Sequence, residues 1–594
     1  MTRPTSRKPW MTLAVLCVGS FAILMDTTIV NVAVPSLIDT LHAGFDQVLW
    51  INNAYLLVFG SLLITMSRLG DIFGQRRLFI LGLAVFAVFS ALCGVAQNPA
   101  ELIAARAFQG LGAAMLAPQP LVILSAAFPA QRRGAALGVY NSMIGLAAVL
   151  GPTVGGVLVT YAGWRWIFYV NLPITLAGIV MAVRIVPDLR LARRHRLDIA
   201  GVMLATLGLA GIVFGLIEGQ RYDWGTIAAG AVTIPEVMTA GAALLIAFGF
   251  WERRRRDREP LLPAAVFRDK TVVLLCALAA AAKFGLISIM ILAAINMQSV
   301  LGYSAVISGL TSLPLTIVLA ALAPFAGRLS DRTGSKPILA TGFTVYAIGM
   351  IVLIGVLNTR ATPFTFVLPY ILIGLGMGCL FAPLTTEALR RVRPEFTGAL
   401  AGLLNTSRQL GSSIGGAVAG GVLATLLASN MQARAIAAAA RLSVAARHRF
   451  LAGFSHLTQS GLSVGRGQFG SAAVPADVPE PLRTQLQHLV HTIFTGSYIH
   501  AMQVTLVIPV ALLLLCATSC ALLIRPLPAT TQAAAQARPK PAALSRNRAS
   551  RKRLHLDVEM LASKRPQIVR VTGRDEAAAK ADRGSNDEGV DGMT

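Results

Sequence analysis

The sequence predicts an all-α polytopic membrane protein, and three observations carry that prediction. The chain has 594 residues, of which 55% are hydrophobic and only 13% charged, and its mean hydropathy is +0.66, far more apolar than a soluble core requires. The apolar residues fall into long runs, most of about 20 residues or more, the length a helix needs to cross roughly 30 Å of hydrocarbon. The alternating apolar and polar pattern of a barrel strand is missing, so helices must satisfy the backbone N–H and C=O groups inside lipid.

The runs separate at 10–35, 47–66, 78–96, 100–127, 135–161, 166–187, 198–217, 229–251, 271–297, 305–326, 338–357, 363–388, 398–427 and 500–524, which makes fourteen helices. The first run outlasts a signal-peptide apolar region and has no convincing small-residue cleavage site, so it reads as the first span. Alternate short loops at 67–77, 128–134, 188–197, 252–270, 327–337 and 389–397 hold 22 Lys and Arg, against three in the six opposite loops. Under the positive-inside rule both termini are then cytoplasmic, in a cell inner (cytoplasmic) membrane. The net charge of +25 sits mostly at helix ends and in the tail, so it reports topology rather than nucleic-acid binding. The six cysteines all lie in apolar segments and form neither a disulfide framework nor a zinc site. Residues 428–498 read as a long outer loop, beginning with the Ala-rich, helix-prone stretch MQARAIAAAARLSVAARHRF, and 526–594 as a disordered basic cytoplasmic tail.

The chain repeats itself. SRLGDIFGQRR (67–77) and GRLSDRTGSKP (327–337) share Arg68, Leu69, Asp71 and Gly74 with Arg328, Leu329, Asp331 and Gly334 at an offset of 260; RAFQGLGAAMLAP (106–118) resembles YILIGLGMGCLFAP (370–383), and GAALGVYNS (134–142) resembles GALAGLLNT (398–406), near an offset of 264. The organisation that follows is an N-terminal six-helix bundle (1–187), an inserted two-helix hairpin with linkers (188–270), a C-terminal six-helix bundle (271–525) and the tail (526–594). Both copies of the charge cluster fall on the same side, so the halves are parallel repeats, an arrangement that puts a transporter's binding site between them near the midplane.

These motifs resemble those of the major facilitator superfamily, in particular its fourteen-helix drug:proton antiporter branch. MDTTIVNVAVP (25–35) is similar to the branch's helix 1 signature, SRLGDIFGQRR to the superfamily signature between helices 2 and 3, LIAARAFQGLGAA (102–114) to its helix 4 signature, LAAVLGPTVGGVL (146–158) to the antiporter signature of helix 5, and WRWIFYVNLPI (164–174) to a segment typical of the branch. Ser67 and Ala147 stand where the family usually has glycine. The resemblance implies two six-helix bundles plus an inserted hairpin, and proton-coupled efflux of lipophilic or cationic drugs by alternating access.

Asp26 lies deep in the first span, where an ionised carboxylate costs about 2.5–3.5 kcal/mol on insertion scales. Such a group can exchange a proton or pair with a cationic substrate; the alternative is a carboxylate permanently satisfied by Thr27 or Thr28 hydroxyls, or by a basic residue. Arg106, inside helix 4, is too deep for an interfacial anchor. The resemblance gives it a part in proton coupling, by favouring the deprotonated form of a neighbouring group, and hydrogen bonding to Gln109 is the structural alternative. Gly151, Pro152, Gly155 and Gly156 of helix 5 permit close approach and a local kink, on a helix that the resemblance makes part of the opening interface. Polar positions within spans nominate Asn31, Tyr55, Gln119, Asn141 and Asn405 for the substrate pocket, with Asn405 also suited to an interhelical bond. Lys283 reads as a counter-ion or a snorkelling lysine, and Glu236 as an interfacial charge. Arg68, Asp71, Gly74, Arg76, Arg77, Asp331 and Arg332 lie in short cytoplasmic loops away from substrate and, by resemblance, form a gate: Asp71 caps or pairs at the start of helix 3, Gly74 permits a tight turn, and the loop latches the halves in the outward-facing state.

No GxxxxGK[ST] loop is present, which argues against an ATP-driven pump, and no HExxH or GxSxG supports an enzyme. The expected partners are the lipid bilayer, protons and small lipophilic substrates, with no nucleic acid, no metal and no cofactor beyond the proton gradient; a periplasmic adaptor is left open. A dedicated exporter of one endogenous metabolite or antibiotic is the rival within transport, and a non-transporting membrane sensor on the same scaffold is the rival outside it.

Overall fold

Capping chemistry and proline breaks set the helix boundaries. Helix α4 (Pro99–Leu116) starts where Asn98 accepts from the Glu101 N–H at 2.9 Å while the Glu101 carboxylate accepts from the Gln97 N–H at 2.9 Å. It ends near Pro118 and Pro120, which lack the N–H that continuation needs, and α5 (Gln119–Ala127) follows. The same break recurs in the second repeat between α16 (Val367–Gly378) and α17 (Phe381–Arg391). In the hairpin, α9 (Ile199–Glu218) is capped by Asp198, and α10 (Ile234–Arg254) by a reciprocal box in which Thr233 N donates to Glu236 and Glu236 N to Thr233. Glu236 therefore completes a helix start, a local role for the interfacial charge read from sequence.

The computed structural model describes residues 9–43, 45–188, 198–219, 221–222, 224–227, 230, 232–254, 261–439 and 480–524. Within helices a few side chains, Asn31 and Pro152 among them, also lie outside the described set, as does the whole tail read at 526–594. The remaining long helices are α1 (Pro9–Leu41), α2 (Phe45–Phe73), α3 (Gln75–Val95), α6 (Arg133–Tyr161), α8 (Asn171–Ile185) after the single turn α7 (Trp166–Tyr169), α12 (Lys270–Ile295) after the single turn α11 (Ala264–Phe267), α14 (Leu313–Thr333) after the short α13 (Ala305–Thr311), α15 (Ser335–Val356), α18 (Thr397–Ala439) and α19 (Glu480–Leu523). Among the described residues the β pairing is one isolated bridge, Thr226 to Thr233. Thirteen helical stretches there are long and apolar enough to cross a membrane. They match thirteen of the fourteen sequence spans; the other is α6, 29 residues long, with side chains outside the described set.

Several span boundaries need correction: α2 and α14 run on to Phe73 and Thr333, so Arg68, Asp71, Asp331 and Arg332, read as loop residues, are helical. The runs read as 398–427 and 500–524 belong to helices of 43 and 44 residues, Thr397–Ala439 and Glu480–Leu523. Alanine is the best helix former, and MQARAIAAA simply continues α18 past the apolar stretch. The segment read as a loop at 428–498 is thus helical at both ends, and 440–479 lie outside the described residues.

Helices up to α8 pack on one another, chiefly α1 on α6, α2 on α4, and α3 on α4 and α8; α12 to α19 form a second set through α12 on α18, α14 on α16, and α15 on α16 and α19. The sets meet along two seams, α6 against α14 and α2 against α18, with α9 lying against both α2 and α18. The sequence offsets relate one seam to the other. The repeat also preserves close contacts within each set: a Cβ on Gly110 would strike the Tyr55 carbonyl, and one on Gly374 the Leu315 carbonyl.

Candidate functional site

The most enclosed charges of the first set are a pair. Asp26 on α1 and Arg106 on α4 are both 0% exposed, with Arg106 Nη1 2.5 Å from Asp26 Oδ2. The second carboxylate oxygen accepts from Gln109 Nε2 at 3.0 Å and from Asn171 Nδ2 at 2.8 Å. Arg106 is itself held by Nε to the Ile51 carbonyl at 3.2 Å, by Nη1 to Gln109 Oε1 at 2.8 Å and by Nη2 to Asn52 Oδ1 at 3.4 Å. Its guanidinium lies 4.3 Å from the Tyr55 ring centroid, a cation–π contact. Helices α4 and α8 thus meet the carboxylate on α1, and α2 joins the cluster through Arg106. Losing either member of such a buried pair costs about 3–5 kcal/mol, because the survivor is left charged and unpaired.

This arrangement resolves the alternatives for Asp26. Thr27 and Thr28 spend their hydroxyls on carbonyls of their own helix, Ile23 and Leu24 or Met25, so the satisfying groups are the arginine and two amides. It also joins the two readings of Arg106, which contacts Asp26 and Gln109 together. Sequence reasoning missed Asn171, Asn52 and Ser90. Asn171 donates to Ser90 Oγ at 3.1 Å, and Ser90 donates to the Phe168 carbonyl at 2.9 Å. Their signal was available: a polar amide deep in an apolar run, and Asn171 sits inside the WRWIFYVNLPI segment.

The helix 5 glycines press α6 onto α1 beside this pair. A Cβ on Gly151 would run into Thr28 and approach Met25 O, and one on Gly155 would come within 2.6 Å of Ile29 Cγ1, whereas Gly156 looks toward Val306 of the second set at 3.8 Å. The helix that carries Asp26 is therefore packed directly against a seam helix.

Among the described residues the remaining pocket candidates are not hydrogen-bonded to one another. Tyr55 belongs to the Asp26 network. Gln119 is buried within the first set, donating to the Met66 carbonyl at 3.2 Å, while Asn141 and Asn405 donate to carbonyls four residues back in their own helices, Leu137 and Ala401. Asn31's side chain is outside the described residues.

At the face carrying the arginine-rich loops, each charge cluster meets the start of a helix in the other set. Asp331 accepts from the Gly134 N–H at 3.0 Å, at the first turn of α6, and from Arg390 Nη2 at 3.0 Å. In the related seam the Asp71 carboxylate occupies the place where a Cβ on Gly398, at the first turn of α18, would sit. Helix N-termini favour negative charge. Asp71 also accepts from Gln75 Nε2 at 3.0 Å, so it does pair at the start of α3, but its reach across the seam is the feature sequence did not supply. Gly74 and Gly334 turn the chain with φ of +96° and +89°, conformations other residues resist. Arg76 binds the Val183 carbonyl within the first set. Arg68 is buried, near enough to Glu252 for its charge to act there. Arg77 and Arg332 are exposed. Arg390, which reads in the sequence only as a loop charge, is the arginine that serves Asp331.

The family model of the Major Facilitator Superfamily matches residues 16–416. The chain belongs to the Major Facilitator Superfamily. Among curated members of this superfamily, it is 34% identical to the tetracenomycin C resistance and export protein of Streptomyces glaucescens, over 70% of this chain and 76% of that one. It is 31% identical to the multidrug resistance protein Stp of Mycobacterium tuberculosis, over 72% and 78%. A solved structure of the proton:xylose symporter XylE superposes with a TM-score of 0.50 at 15% identity, covering 69% of this chain and 88% of that one, a likeness of fold. The superfamily chain described here is a multi-pass membrane protein.

Proposed function

We propose that this chain exports lipophilic drugs or antibiotics in exchange for protons by alternating access. The resistance and export named for its relatives supports the cargo class, and one observation carries the coupling: a fully enclosed Asp26–Arg106 pair that bridges α1 and α4. A proton on Asp26 cancels the attraction to Arg106, whose other contacts to Ile51, Asn52, Gln109 and Tyr55 keep it on α2 and α4. Helix α1 then keeps only the amide hydrogen bonds from Gln109 and Asn171 and is held less tightly to that cluster. Because Gly151 and Gly155 fasten α1 to α6, the change reaches the seam that must open. The arginine-rich face is cytoplasmic on the 22-to-3 loop bias, and contacts there close the cytoplasmic side.

Everted vesicles test this reading. Energised vesicles acidify inside, substrate addition releases protons, and Asp26→Asn abolishes both proton release and export while the protein remains in the membrane. Unchanged export by Asp26→Asn would sink the role given to this pair. A single-product exporter is the second reading, favoured by the tetracenomycin relative; growth inhibition with and without the protein, across unrelated compounds, separates the two.

A further inference from the structure

The second set contains cations that the proton chemistry above does not use. Lys283, midway along α12, places Nζ 5.6 Å from the ring centroid of Phe381. Arg408 of α18 places its guanidinium 5.7 Å from the same ring. Both are half-buried, and the Arg408 charge acts on Lys283. Arg408 Nη2 donates to Thr385 Oγ1 at 2.7 Å, but its Nε is buried with no hydrogen-bond partner. Among the described residues neither cation has a carboxylate within ion-pair reach. Lysine can relieve such a site by losing its proton; arginine cannot, so a positive charge persists.

These groups sit at the seam between the two sets. Arg408 acts electrostatically on Tyr140 of α6, whose hydroxyl shares a 2.7 Å hydrogen bond with Ser20 of α1. At the next residue, Gln409 Cγ lies 3.0 Å from where a Cβ on Gly60 of α2 would be. The carboxylate that could attract a cationic substrate, Asp26, is already saturated by Arg106, Gln109 and Asn171.

We propose that the seam binds lipophilic organic anions, whose acid group is held by Lys283 and Arg408 and whose ring system lies against Phe381. This rests on the transport reading and names its substrate class. A guanidinium grips a carboxylate or acidic phenolate through paired N–H donors, the ammonium adds a point charge, and the aromatic ring receives the apolar body of the same molecule. An inorganic anion would leave that ring unused.

Three probes with one ring system test the proposal: 9-anthracenecarboxylate, its neutral methyl ester, and the cation 9-(aminomethyl)anthracene. Binding to the full chain in detergent is read by fluorescence anisotropy. The acid is expected to bind at least about ten-fold tighter than the ester, with the amine weakest, and inorganic phosphate is expected not to displace it at comparable concentration. Arg408→Gln should weaken the acid about ten-fold and change the ester far less, with the variant's fold certified by its monodisperse elution and wild-type thermal unfolding midpoint; Lys283→Arg should keep the preference. Ester or amine binding as tightly as the acid, undetectable binding of the acid, displacement by equimolar phosphate, or an acid preference surviving Lys283→Gln with Arg408→Gln would each overturn it. No proton gradient is present, so loss of acid preference leaves the antiport reading standing, and failure of Asp26→Asn to block export leaves this one standing.

Discussion

Ser67 donates its hydroxyl to the carbonyl of Gly398, whereas at the related point of the other seam Gly327 and Gly134 touch backbone to backbone, each standing where the other's Cβ would be. The two seam contacts are therefore made by different means. Serine in place of the usual glycine has exchanged a bare backbone contact for a hydrogen bond across the seam.

That bond can be tested by removing it. A buried hydrogen bond contributes about 0.5–1.5 kcal/mol, so Ser67→Gly should shift the latch toward its open form roughly two- to ten-fold. Gly398→Ala should open it further, because the added methyl would enter the Asp71 carboxylate. Spin labels at the exposed positions Arg77 and Arg393, on opposite sides of the seam, would report both as a gain in the long-distance population by double electron–electron resonance. An unchanged distribution in both variants contradicts a latch at Asp71 and Gly398. Asp71→Asn should slow transport cycles while leaving substrate affinity intact.

The second seam contact distinguishes two neighbouring arginines. Arg390 bonds Asp331 and the Ser330 carbonyl, and Arg332 is exposed beside them. Arg390→Ala should reduce the transport rate several-fold and Arg332→Ala should leave it near wild type. In a double-mutant cycle, Arg390→Ala should couple to Asp331→Asn by about 0.5–1.5 kcal/mol. Equal effects of the two arginines on initial export rates would mean that net loop charge, not this contact, matters.

Arg106 requires geometry as well as charge. Its forked head spans Asp26, Gln109, Asn52 and the Ile51 carbonyl, which one ammonium cannot reach together. Arg106→Lys should therefore keep the protein in the membrane but lower substrate-induced proton release by at least about ten-fold, since removing one such contact alone is worth about 1.5–3 kcal/mol. Wild-type proton release by Arg106→Lys would show that a positive charge in the region suffices.

Much of this architecture is legible in the amino-acid sequence. Apolar runs about as long as a bilayer is thick can satisfy their backbones only as helices, so their number, alternation and duplication follow from spacing and loop charge alone. Asp26 and Arg106 stand out because buried charge is costly in lipid. The helix ends at Ala439 and Glu480 are less legible, since an apolar run marks where lipid is, and alanine-rich chain continues a helix beyond it.

Sequence by itself determined which residues are expensive to bury; tertiary structure decided which expenses are offset and which are left. Asp26 and Arg106 are 80 residues apart, and nothing in their local patterns says that they neutralise one another. Nor does any local pattern say that Asp71 and Asp331 look across to Gly398 and Gly134, or that Lys283 and Arg408 share Phe381 with no acid in ion-pair reach among the described residues. Cost in lipid depends on a residue's own chemistry, which composition records. Compensation depends on partners a few ångströms away in space, and only the packing of α1, α4, α6, α12 and α18 brings them there.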